Sequence, residues 1–270
     1  MSTQTLFLNR PEGRIAYDVA GEGPLVVLVP GLGDLRATYR FLAPALVAGG
    51  YRVATTDLRG HGESTTGFTS YGDDETGRDV LALVEHLGGP AVVVGNSMGA
   101  GAAAWAAAER PDLVAGVVLV GPFVRDTGSG WQKLLIRVAM ARPWAAAAWR
   151  AYLPKLYAGR PAADQDAYLA DVAAAMRRPG HAAAFARLIG QLDHAVVERR
   201  LGEVSAPALV VMGELDPDFP DPRAEAEWIA ARLAAEVVLV PESGHYPQSQ
   251  RPDVVSPAVL GFLERVSRRA

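Results

Sequence analysis

The sequence predicts an α/β fold: a mostly parallel, doubly wound sheet with a block of helices inserted between two of its strands. Three observations carry this. Short unbroken runs of β-branched and other apolar residues recur along the chain, and helix-forming segments alternate with them. The alternation stops once, over residues 123–202, where no β-like run occurs. Continuous apolar strands suit a sheet covered on both faces, as parallel pairing requires, and strand–helix alternation builds βαβ units.

Residues 5–9 and 13–19 show partial apolar alternation around the turn Pro11-Glu12-Gly13, the pattern of an antiparallel hairpin. LVVLV at 25–29 is the first continuous strand, and similar runs follow at 51–56, 91–94, 117–120, 208–212 and 237–240. Helical segments are expected at 36–48, 73–87, 98–109, 222–234 and 253–267. The block 123–202 is rich in Ala, Arg and Trp and is punctuated by Pro143, Pro154, Pro161 and Pro179. About four helices broken at those prolines are expected there. Residues 1–122 and 203–270 would then form the core, and 123–202 a helical lid over the sheet's C-terminal edge.

Composition narrows the function. Of 270 residues half are hydrophobic and 21% charged, with a formal charge of −4 and both signs scattered. A nucleic-acid surface needs concentrated Lys and Arg, so nucleic acid is not the expected partner. Arg is plentiful, whereas Lys occurs only at Lys133 and Lys155. No cysteine is present, which excludes disulfides, thiolate nucleophiles and zinc–thiolate sites. There is no H-x-x-x-H, no P-loop and no correctly placed G-x-G-x-x-G, so neither metal nor cofactor is expected. No window of 18 apolar residues exists, and the first fourteen residues lack a basic start with an apolar run. A soluble, cytoplasmic monomer or homodimer with a small-molecule partner and no membrane partner is the expectation.

The chemistry centres on GNSMG at 95–99, which lies between the run AVVV and the helix former AGAAAWAAAER. This is the G-x-S-x-G nucleophile elbow in its required setting of strand, sharp turn and helix. The pentapeptide alone is weak evidence in a chain with 28 glycines. An activated Ser97 needs a base, and the base needs an orienting carboxylate. His245, in SGHYPQ after the last strand, is the candidate base. His61, in DLRGHGES, competes but is better suited to holding the glycine-rich loop by hydrogen bonds, and His86, His181 and His194 fall in helical stretches as surface or lid residues. Asp216, in GELDPDFPDP after the strand 208–212, is the candidate acid, with Glu214, Asp218 and Asp221 as rivals. The order Ser97, Asp216, His245 is the chain order this arrangement demands, each residue at the end of a parallel strand. Backbone N–H groups of Leu32, in PGLGD, and Met98 would stabilise an oxyanion. Phe123, Trp131, Trp144, Trp149, Phe185 and Tyr246 are candidate walls of an apolar substrate pocket. A histidine base predicts that activity falls as it protonates, near pH 6–7.

At these residues the chain resembles the α/β-hydrolase superfamily, in particular its small lidded esterase-like members. PGLGD is similar to the oxyanion loop, TDLRGHGES (56–64) to a D-x-R-G-x-G-x-S segment, GNSMG to the elbow, and GELDPDFP and SGHYPQ to the acid and histidine loops. The resemblance covers nearly the whole core and implies the α/β-hydrolase fold, no cofactor, and a serine hydrolase cleaving small to medium apolar esters. Pro30 stands where many relatives have His, which alters the outer shell of the hole while keeping its N–H donors. Carbon–carbon bond hydrolases, cofactor-free haloperoxidases or perhydrolases, and slow-turnover receptors on this fold share the same residues and are the alternatives.

Overall fold

The computed structural model describes residues 4–126, 130–141 and 143–268. Its frame is an eight-stranded sheet in the order β1-β2-β4-β3-β5-β6-β7-β8. β1 (Leu6–Arg10) and β2 (Gly13–Ala20) form the expected hairpin, and β2 also runs antiparallel to β4 (Arg52–Thr56). β3 (Leu25–Val29), β5 (Ala91–Asn96), β6 (Val114–Val120), β7 (Ala208–Gly213) and β8 (Glu236–Val240) continue from β4 in parallel. β3 lies between β4 and β5, so the strand order reverses there, the position at which open α/β sheets place their sites.

Side-chain alternation distributes the central strands between two cores. Val27 and Val29 of β3 join the cluster packed under α2 (Asp73–His86), α3 (Met98–Glu109) and α9 (Pro222–Leu233). Val26 and Leu28 point the other way, into a cluster with α1 (Leu42–Ala48) and the C-terminal helix (Pro252–Ser267). A strand apolar on both faces is therefore apolar at every position, which is why the runs are unbroken. The single helix expected over 36–48 is instead a 3-10 turn, Arg36–Tyr39, followed by α1. Pro44 explains the break: within one continuous helix its ring would collide with the carbonyl of Arg40.

Between β6 and β7 the described residues contain helices and 3-10 turns, with one isolated β-bridge from Gly159 to Ser243. The helices and turns are α4 (Gly130–Ala139), α5 (Ala145–Tyr152), a 3-10 turn (Leu153–Leu156), α6 (Gln165–Met176), α7 (His181–Gln191) and α8 (Ala195–Glu198), then a last 3-10 turn (Leu201–Glu203). Pro143, Pro161 and Pro179 precede α5, α6 and α7, and Pro154 sits in the 3-10 turn, where its missing N–H costs least. These helices share a third apolar cluster, built around Trp149, Phe185 and Tyr246. A short helix, α10 (Pro247–Gln250), precedes the C-terminal helix, α11. Among the described residues no helix is long and apolar enough to cross a membrane.

The turn from β5 into α3 is packed too closely to admit a side chain at either glycine. A Cβ on Gly95 would lie 2.1 Å from the Gly99 carbonyl oxygen, and one on Gly99 would lie 2.5 Å from the Val29 and Pro30 oxygens. Those neighbours are backbone and cannot rotate away. Gly99→Ala should therefore force α3 off β3 and lower stability by roughly 3 kcal/mol, measured by urea unfolding; a loss below about 0.5 kcal/mol would show that the contact yields freely.

Candidate active site

Ser97 occupies the one residue between β5 and α3, with φ 57° and ψ −125°. Few residues other than glycine adopt that region, and the strain is sustained by the surrounding packing. The Ser97 N–H donates to the Val120 carbonyl at 2.9 Å, and its own carbonyl accepts from Ala100 and Phe123 at 3.0 and 3.3 Å. A Cβ on Gly31 would lie 2.8 Å from Ser97 Cβ, so the loop after β3 runs directly beside the serine. The side chain of Asn96 donates to the Val120 and His245 carbonyls at 3.1 and 3.2 Å, tying the histidine loop to the elbow.

Asp216 and His245 meet directly. His245 Nδ1 donates to Asp216 Oδ2 at 2.7 Å, and both residues are about 2% exposed. That bond fixes the tautomer, leaving Nε2 as the basic nitrogen of the neutral ring. The ring is backed by Tyr246 at 5.2 Å and edged by Phe123 at 5.8 Å. The His245 N–H donates to the Leu156 carbonyl at 2.8 Å, so the inserted helices also hold this loop. Asp216 keeps its orientation through a second bond, accepted at Oδ1 from the Asp218 N–H at 3.1 Å.

The rival acids separate cleanly. Glu214 is exposed and lies 3.6 Å from Arg223, and Asp221 caps α9 by accepting from the Ala224 N–H at 3.0 Å. Asp218 is a participant of a different kind: its Oδ2 is 3.7 Å from His245 Nδ1, while Oδ1 accepts from the Tyr152 hydroxyl of α5. Burial pulls the His245 pKa down, but the Asp216 charge and hydrogen bond, with Asp218 and Asp34 behind them, outweigh it and raise it to about 9. The inflection expected near pH 6–7 is thereby displaced upward. Among the described residues Asp216, Asp218 and His245 are the one group of donors close enough to share a metal ion. Their atoms are already engaged with one another and with Tyr152.

The loop after β3 is clamped at a single residue, Gly33. The Gly33 N–H donates to His61 Nε2 at 3.0 Å, and the Gly33 carbonyl accepts from Trp149 Nε1 at 2.8 Å. His61 Nδ1 donates in turn to the Arg59 carbonyl at 2.7 Å. Burial lowers the His61 pKa to about 4, so the ring is neutral and its Nε2 remains an acceptor at working pH. Gly33 has φ +70°, and a Cβ there would lie 2.4 Å from the Trp149 ring. With the Gly33 N–H taken, the N–H groups of Leu32 and Met98 make no hydrogen bond among the described residues.

The aromatic candidates divide. Phe123 borders His245, and Tyr246 lies behind it. Trp149 and Phe185 are buried against each other, 5.3 Å apart, and support the Gly33 loop; Phe185 also meets the His61 ring edge-on at 6.3 Å. Trp131 and Trp144 face solvent instead. A cavity of about 230 Å³ lies on the outer side of Trp149, between α5 and α6, and neither Ser97 nor His245 lines it. His194, expected at the surface or in the lid, is buried: its Nδ1 is 2.9 Å from Asp73 Oδ2 and its ring stacks on Phe123 at 5.5 Å. Only the three-dimensional pairing of α2 with the inserted helices reveals that contact. Phe219, which packs on Phe123 at 5.0 Å, was equally hidden in an acid loop read for its carboxylates.

Residues 26–258 match the sequence model of the Alpha/beta hydrolase family. The chain belongs to the alpha/beta hydrolase family. Within it, this hydrolase is 28% identical over 261 residues to the 2-(acetamidomethylene)succinate hydrolase of Mesorhizobium japonicum, a match covering 93% of each chain. Among solved structures it resembles the enol-lactonase of Burkholderia xenovorans LB400, with TM-score 0.83 and 25% identity over 96% of this chain and 100% of the other. A thermophilic esterase of Thermogutta terrifontis superposes with TM-score 0.81 and 25% identity, over 97% and 99% of the two chains.

If the neutral His245 ring acts as the base, kcat/KM rises with pH through an inflection above 6.5. Asp218→Asn removes the second anion near Nδ1, which favours the neutral ring and should move that inflection down by about one pH unit. An unmoved pH–rate profile would separate Asp218 from the titration.

Proposed function

We propose that this alpha/beta hydrolase is a serine carboxylesterase cleaving small to medium apolar esters through an acyl-enzyme. The observation that carries the reading is the buried Asp216–His245 hydrogen bond, with the strained Ser97 elbow tied to the same loop through Asn96. In this reading Ser97 Oγ attacks the acyl carbon and His245 Nε2 takes its proton. Asp216 holds the tautomer and stabilises the imidazolium that forms. The tetrahedral oxyanion accepts hydrogen bonds from the Leu32 and Met98 N–H groups, at the N-terminus of α3, where the helix dipole favours negative charge. His245 then protonates the leaving alcohol, and water, activated by the same imidazole, releases the acid.

An ester substrate is supported by the names of two of the similar structures, an esterase and an enol-lactonase. An apolar one is supported by Phe123, whose ring edges His245 and packs on the buried Phe219.

The test is turnover of p-nitrophenyl acetate and butyrate beside Ser97→Ala. Loss of about a thousandfold or more is expected in the variant, together with fluorophosphonate labelling confined to Ser97. Equal slow rates, or label on another residue, defeat the reading. Trp149→Phe tests the hole separately. Releasing the Gly33 carbonyl should lower kcat about tenfold with little change in KM, because the lost stabilisation exists only in the transition state.

A further inference from the structure

One surface of the molecule is unlike the rest. On α4 the side chains of Trp131, Leu134, Leu135 and Val138 are between 49% and 66% exposed. Their spacing of i, i+3, i+4 and i+7 is that of one helix face, the pattern that elsewhere in this fold is buried. Trp144 extends the face: it is half exposed, and its indole N–H donates to the Val138 carbonyl at 3.0 Å, at the end of α4.

The stretch of sequence that holds this face is equally distinct in charge. Residues 130–163 carry six basic residues and no acidic one, while the remainder of the chain has 20 basic and 30 acidic. Both lysines of the protein, Lys133 and Lys155, fall in this window. Arg150, Lys155 and Arg160 are exposed and form no ion pair among the described residues. An acidic protein thus presents one basic segment, and that segment carries its largest row of exposed Trp and Leu.

We propose that this face docks the hydrolase on an anionic lipid surface, with α4 lying in the headgroup plane and its Trp–Leu–Val row in the acyl boundary. Such an interfacial helix needs a strong apolar face, aromatic anchors and surrounding positive charge, not a membrane-spanning length. The ten residues of α4 are enough for such a helix. A symmetric contact with a second copy is disfavoured by the same charges. An isologous interface would bring together two copies of a segment that has six basic residues and no acidic one. The acidic remainder keeps the rest of the molecule off an anionic surface, which orients the docking.

Docking does not involve the serine, so it is testable apart from the esterase reading. Wild type and Ser97→Ala are sedimented with vesicles of phosphatidylcholine alone, and with vesicles containing an equal share of phosphatidylglycerol. Both proteins should sediment with the anionic vesicles only, less so as salt is raised. Leu134→Ser/Leu135→Ser, checked for folding by circular dichroism, should reduce partitioning about tenfold. Arg150→Gln/Lys155→Gln leaves the apolar row intact and should weaken binding and flatten its salt dependence. The proposal is overturned if wild type ignores anionic vesicles, binds neutral ones equally, or retains full binding in both variants. It is also overturned if light scattering finds a dimer that Leu134→Ser/Leu135→Ser dissolves, without vesicle binding by either protein.

Discussion

The site depends on the closeness of β3 and α3. No methyl group fits between Gly99 and the last carbonyls of β3, nor between Gly95 and Gly99 itself. That contact brings the loop after β3 alongside Ser97 and holds the serine in a backbone conformation most residues avoid. The elbow glycines are therefore steric requirements first, and their link to chemistry follows from what the contact positions. Because β3 sits where strand order reverses, the same contact lies at the natural crevice of the sheet.

Electrostatics then distinguishes two histidines of similar burial. His61 has no anion bonded to its ring: it accepts from one backbone N–H and donates to one carbonyl, and burial keeps it neutral. His245 is equally buried but faces Asp216, with Asp218 behind, so its protonated form is the one favoured. One ring is held neutral as an acceptor and the other is made more basic, and the neighbouring carboxylates make the difference.

The sheet was legible because its central strands, covered on both faces, are unbroken apolar runs while the two hairpin strands alternate; all eight predicted runs are strands of one sheet. The places of Ser97, Asp216 and His245 were legible because each follows such a run. What stayed hidden depends on contacts between distant segments. Tyr152 reaches Asp218, Trp149 reaches Gly33 and His194 reaches Asp73, across 66, 116 and 121 residues. No local pattern marks any of the three. The aromatic residues of the insertion were hard to place for a further reason. Helical periodicity marks an apolar face but not whether it points inward, so Trp131 and Trp149 look alike in sequence and differ by an entire layer in space.

The indole bond of Trp149 to Gly33 has a consequence for how such folds diversify. An inserted block is commonly pictured as a module that can be exchanged while the sheet beneath keeps its function. Here the insertion supplies the donor for a core carbonyl, and His245 takes its backbone acceptor from Leu156 of the same block. A transplanted insertion without an equivalent indole and carbonyl would orphan polar groups on both strand-end loops at once. The unit of inheritance in this protein is therefore the loop together with its covering helices, and specificity cannot drift in one without constraint from the other.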